Sequence, residues 1–251
     1  MTDFSYQLYS SRNFPPLSRT LVMLARLGYG EVEGYHALYA DAAKVAELAE
    51  LLELTGLRMP TGHFGLEMIE EAPDRVIEIA RLLGIGTVYC PALPPDVQPD
   101  TGVAWEILGH RLAAAGKPVR DAGLGFGWHN HDLEFIALKD GAIPLEAIFS
   151  GAPELEWQAD IAWLARSGAD PFHWIARFAD RITAVHVKDI APAGQNTGED
   201  GWADVGYGTL DWPGLMTALR ATRARHFVIE HDNPRDPERF AERSLTAART
   251  F

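Results

Sequence analysis

The 251-residue chain predicts an α/β fold of one kind, a single (β/α)8 TIM barrel spanning residues 1–251. Three observations point there. Eight short β-rich runs alternate with stretches of helical period; their starts lie about 25 to 45 residues apart, the size of one strand–helix unit; and a chain of about 250 residues is the usual length of a closed eight-fold barrel built as one domain. No linker, low-complexity tract or shift in composition divides the chain.

The strands are expected at Phe4–Tyr9, Tyr29–Glu33, Arg58–His63, Thr87–Pro91, Gly125–His129, Leu155–Asp160, Ile182–Val187 and Phe227–Glu230. Between them, Asp41–Thr55 carries Val45, Ala49 and Leu52 on a broad apolar face, and Gly56 follows as a C-cap. Pro73–Leu83 opens on a proline and is closed by Gly84, the order that helix ends favour. Val103–Ala122, Pro171–Ala179, Trp212–Ala221 and Pro237–Thr250 have the same character.

Composition narrows the function. Hydrophobic residues make up 47% and charged residues 23%, the balance of a globular chain with a sizeable core. Thirteen excess negative charges argue against nucleic acid and against an anionic membrane surface, since both attract Lys and Arg. The single cysteine, Cys90, excludes an internal disulfide and multi-cysteine zinc patterns, and is expected to be a buried small hydrophobe. No apolar run has the length of a membrane span or signal peptide, so a cytoplasmic location is expected.

A barrel of this kind carries its active site at the carboxyl ends of its strands. Six of the eight runs end on a group able to bind a metal or move a proton: Glu33, His63, His129, Asp160, His186 and Glu230. One such residue is ordinary for a solvated rim; six together are a signal. His129, Asp160, His186 and Glu230 fall on four successive runs, and two imidazoles with two carboxylates suit a divalent first-row cation with an open position. Mn2+ is the first expectation, with Zn2+, Co2+ or Mg2+ as alternatives.

Several motifs then carry a resemblance. QLYSSR at 7–12, GYGEVEGY around Glu33, GHFGL around His63, WHNHDLEF at 128–135, ADIAWLARSGADP at 159–171, AVHVKD at 184–189, VGYGTLDW at 205–212 and IEHD at 229–232 resemble the xylose-isomerase-like barrel superfamily over nearly the full length. That superfamily includes sugar phosphate isomerases/epimerases and endonuclease IV. The resemblance implies a metal at the carboxyl end of the barrel, with Asp160, His186 and Glu230 at matching ligand positions. Many epimerases of the family place a glutamate where His129 stands, so Glu134, reaching back, is the competing fifth-strand ligand and His131 a third candidate. Endonuclease IV-like members need a histidine three residues after the sixth-strand aspartate, where this chain has Trp163, and a D-x-H pair that is absent from 194–211.

The expected chemistry is enolisation of a sugar, keto-sugar or polyol, giving an isomerase or epimerase through an enediolate. A dehydratase shares that intermediate, and a non-catalytic metabolite-binding barrel is a further alternative. Glu134 or Glu230 is expected as base, with Lys188 and His63 assisting; Glu33, His131 and Trp163 are expected at the substrate. The expected partners are a small carbohydrate and, in a homo-oligomer, further copies of the chain.

Overall fold

In the computed structural model, which describes residues 3–93 and 97–251, eight parallel strands close into a barrel. They are β1 (Phe4–Gln7), β2 (Glu31–Gly34), β3 (Arg58–His63), β4 (Thr87–Cys90), β5 (Gly125–His129), β6 (Glu156–Asp160), β7 (Ile182–Val187) and β10 (His226–Ile229). Around the ring the order is β1-β2-β3-β4-β5-β6-β7-β10 and back to β1. All eight expected runs are present, each trimmed or shifted by at most three residues. A two-stranded antiparallel pair, β8 (Asp189–Ile190) and β9 (Trp202–Ala203), rises beyond β7.

Helices α1 (Leu17–Leu27), α2 (Ala42–Thr55), α3 (Leu66–Glu71), α4 (Pro73–Leu83), α5 (Gly102–Asp121) and α6 (Pro144–Gly151) follow the first five strands. The series continues with α7 (Ile161–Arg166), α8 (Pro171–Arg177), α9 (Trp212–Leu219) and α10 (Pro237–Ala248). Local chemistry sets their ends. The Asp41 side chain accepts from Lys44 N to start α2, and Gly28, Gly56 and Gly84 end α1, α2 and α4 in the left-handed region. The core lies between sheet and helices, built from outward-facing strand residues such as Val88, Phe126, Trp157 and Phe227. Cys90 is buried, and burial pushes its thiol up to about 12, so it behaves as a hydrophobe. Among the described residues no helix is long and apolar enough to cross a membrane.

Register carries the site. Asp160 stands level with His186 across the β6–β7 ladder, whereas His129 stands level with Gln158 across β5–β6. Because side chains alternate faces, Gln158 and Asp160 share the inner face of β6, as His186 and Lys188 share that of the β7 end.

Candidate metal centre and substrate cavity

Three residues expected at the metal converge at the carboxyl end of the barrel. Donor atoms of Asp160, His186 and Glu230 lie within 4.8 Å of one another, and all three residues are buried. His186 Nδ1 is 2.8 Å from Glu230 Oε2 and 3.8 Å from Asp160 Oδ2. Asp160 is held in place on both sides of its Cα. Its backbone N–H donates to Asn130 Oδ1 at 2.9 Å and its carbonyl accepts from Asn130 Nδ2, so the middle residue of the HNH string pins β6 to β5. Its Oδ1 accepts from Trp163 N at 2.8 Å, capping α7, while Oδ2 is buried without a hydrogen-bond partner.

The electrostatics favour a cation. Asp160, Glu230 and Asp232 surround a buried ammonium, Lys188, whose Nζ lies 2.8 Å from Asp232, 3.2 Å from Glu230 and 3.6 Å from Asp160. Burial opposes the charge on Lys188, but these carboxylates outweigh it and raise its pKa; Trp202 adds a ring face 4.5 Å away. Burial likewise opposes a charged His186, yet Glu230 and Glu33 on its two sides raise it to about 10. Burial raises Asp160 to about 6 against the pull of Lys188. Between Glu230 and Glu33, then, His186 favours its protonated form. A carboxylate oxygen free of hydrogen bonds, an imidazole and a second carboxylate therefore fit a hard or borderline divalent ion, with His186 giving up its proton on binding.

The expected fourth ligand joins a different group. His129 gathers with His63 and His186, and it is not grouped with Asp160 and Glu230. Its place level with Gln158 explains this: the β5 side chain meets the imidazole layer, with ring centroids 4.4 Å from His186 and 4.9 Å from His63. His129 Nδ1 is buried without a partner, and burial, followed by the neighbouring histidines, keeps the ring well below the usual histidine range.

Glu134 does not take its place. Its oxygens accept from Trp128 Nε1 at 3.2 Å and from His131 N at 2.9 Å, and it belongs to neither donor group. It lines a side chamber with Trp105, Trp128 and Leu133, where burial raises it to about 7. The expectation of Glu134 as base at the metal is thereby corrected: the 3-10 turn at Leu133–Phe135 turns it back onto its own strand.

Above the donor group opens a cavity of about 450 Å3. His63, His129, His131, Trp163 and Glu230 line it, and so do Tyr9, Tyr35, Trp202, Arg166 and Asp232, which sequence reasoning did not single out. Two further expectations are corrected here. Lys188 is wholly buried and Glu33 lies under the histidines, so neither is among the residues lining the cavity. Lys188 braces Glu230 and Asp232; Glu33 braces His63 and His186. Gln7 and Gln158, also missed, complete that lower layer. The alternation that places Gln158 two residues before Asp160 was the available signal.

Residues 21–250 match the family described as the xylose isomerase-like TIM barrel. The chain belongs to that family. Over 246 residues it is 23% identical to the rhizopine catabolism protein MocC of Rhizobium meliloti, covering 85% of this chain and 74% of that one. A sugar phosphate isomerase/epimerase from Parabacteroides distasonis superposes with a TM-score of 0.81 at 18% identity, covering 98% of this chain and 94% of the other. The IOLI protein, whose crystal structure holds a zinc atom, superposes with a TM-score of 0.72 at 14% identity, covering 99% and 96%. At these identities the structural likenesses speak for the fold.

Proposed function

We propose that this barrel is a divalent-metal-dependent isomerase or epimerase that enolises a keto-sugar or related polyol. The observation that carries the reading is the buried Asp160–His186–Glu230 group at the floor of a sugar-sized cavity. Asp160 Oδ2, His186 Nδ1 and Glu230 would hold the ion, Mn2+ or another first-row divalent cation. When bound, it supplies Lewis acidity that polarises a carbonyl and stabilises developing negative charge on oxygen.

The chain's own residues do the rest. Glu230 belongs to the donor group and also lines the cavity, so it can remove the proton α to the carbonyl. Lys188, fixed between Glu230 and Asp232, holds both carboxylates in place and favours their charged forms against the burial that opposes them. His63 reaches the cavity from β3, three places from β10 around the ring, and is placed to deliver a proton from another side. Trp163, Trp202, Tyr9 and Tyr35 give apolar walls against which the C–H faces of a sugar can pack.

Incubation with ketoses, keto-inositols and 3-keto-sugars in deuterated water with Mn2+ tests the reading. Deuterium enters the substrate carbon next to the carbonyl if the proposal holds. Absence of exchange across the panel would leave a metabolite-binding barrel, and water loss in the product would mark a dehydratase sharing the same first step.

A further inference from the structure

Glu33 is a wholly buried carboxylate whose polar neighbours all present nitrogen. Gln7 Nε2 donates to Oε1 at 2.7 Å and Gln158 Nε2 to Oε2 at 2.6 Å. His186 Nε2 lies 2.6 Å from Oε1, and His63 Nε2 lies 3.2 Å from the same oxygen. The two amides are themselves oriented. Gln7 Oε1 accepts from Tyr9 N at 3.1 Å, and Gln158 Oε1 is 2.6 Å from His63 Nε2, so each amide turns its nitrogen toward Glu33.

An ionised carboxylate only accepts hydrogen bonds. A nitrogen 2.6 Å from it must therefore carry the hydrogen, which places a proton on His186 Nε2. The opposite ring nitrogen, Nδ1, is the one that faces Glu230 and Asp160. We propose that Glu33 is the positioning residue that fixes His186 in its Nε2–H form and thereby aims Nδ1 at a cation held with Asp160 and Glu230. This rests on the metal reading above. It gives the lower layer of the barrel a purpose: Gln7 and Gln158 hold the carboxylate, the carboxylate holds the ring, and the ring holds the ion. A carboxylate behind a ligating imidazole raises the ligand's basicity and fixes its tautomer, and its loss typically weakens metal binding about 10- to 100-fold.

Glu33→Gln tests this directly. An amide offers one acceptor and one donor, so its NH2 must meet either Gln158 Nε2 or the shared edge of Gln7 and His186. Chelator competition with Zn2+ should show affinity reduced about 10- to 100-fold. In 15N-labelled protein the slowly exchanging His186 Nε2–H signal should be lost or become fast-exchanging. Gln158→Glu added to Glu33→Gln exchanges donor and acceptor between the two positions and returns an acceptor oxygen to His186. That double variant should regain both the signal and affinity within several-fold of wild type. If the single variant fails to fold, the double variant is compared with wild type directly. Wild-type affinity in Glu33→Gln overturns the role. So does a double variant that recovers its melting temperature but neither the signal nor the affinity. Wild-type protein that binds no Zn2+ overturns the metal reading itself, a separately visible result.

Discussion

Two glutamates show how position within the barrel decides what a carboxylate can do. Glu230 combines membership of the donor group with a place on the cavity wall. Replacing it by Gln keeps size but removes charge and basicity. Metal retention and proton exchange should fall together, exchange by about 10²-fold or more, the scale of general-base loss. Metal content and exchange rate measured on one sample check this; loss of one without the other would separate the two roles. Glu134 behaves oppositely. Burial raises it from its ordinary value near 4.5 to about 7, so the folded protein binds more protons there than the unfolded chain between those pH values. Its contribution to stability is therefore lost as pH rises through that window, on the order of 3 kcal/mol in all. Glu134→Gln should flatten the decline of melting temperature between about pH 5 and pH 7 while leaving metal content unchanged. An unaltered pH slope would show that Glu134 titrates normally.

At the scale of elements, cap residues made the ends of α2 and α4 legible, whereas α1, which Gly28 closes, was not read. Asp41 and Gly56 bound α2, and Pro73 and Gly84 bound α4, as their sequence signals predict. Helix α7 was not legible, because Ile161–Leu164 continues the apolar run of β6, and only the Asp160 side chain on Trp163 N turns the chain. The same register effect limited the site. Period-2 alternation identifies inward strand ends, but not which of them converge. His129 was therefore read beside Asp160 and Glu230 when it gathers with His63 and His186, and Glu33 was read at the substrate when it is buried against those imidazoles. Convergence depends on pairing between strands far apart in sequence. Close packing of α5 on α6 offers another test. A Cβ at Gly109 would collide with the Ile148 carbonyl, and one at Gly151 with that of Glu106. Gly109→Ala should cost about 1–3 kcal/mol by overpacking. Gly30→Ala, with open space around the new methyl, should be silent. Thermal melts of the two variants check this, and equal melting temperatures would contradict the packing.

The whole molecule joins an acidic exterior to an acidic site. Thirteen excess negative charges and Trp163 at the cavity leave the abasic-site chemistry of some barrel relatives without support. An abasic duplex should remain intact under conditions where sugar exchange proceeds, and its cleavage at a comparable rate would overturn that expectation. The consecutive strand order sets β6, β7 and β10 side by side and lets three carboxylates, Lys188 and His186 share one buried volume. The central claim is that this volume holds a divalent ion. Metal analysis with anomalous scattering on Mn2+-loaded crystals tests it most directly. The account predicts one ion per chain in contact with Asp160, His186 Nδ1 and Glu230, absent when Asp160 is replaced by Ala. No ion among those three residues after loading would contradict it.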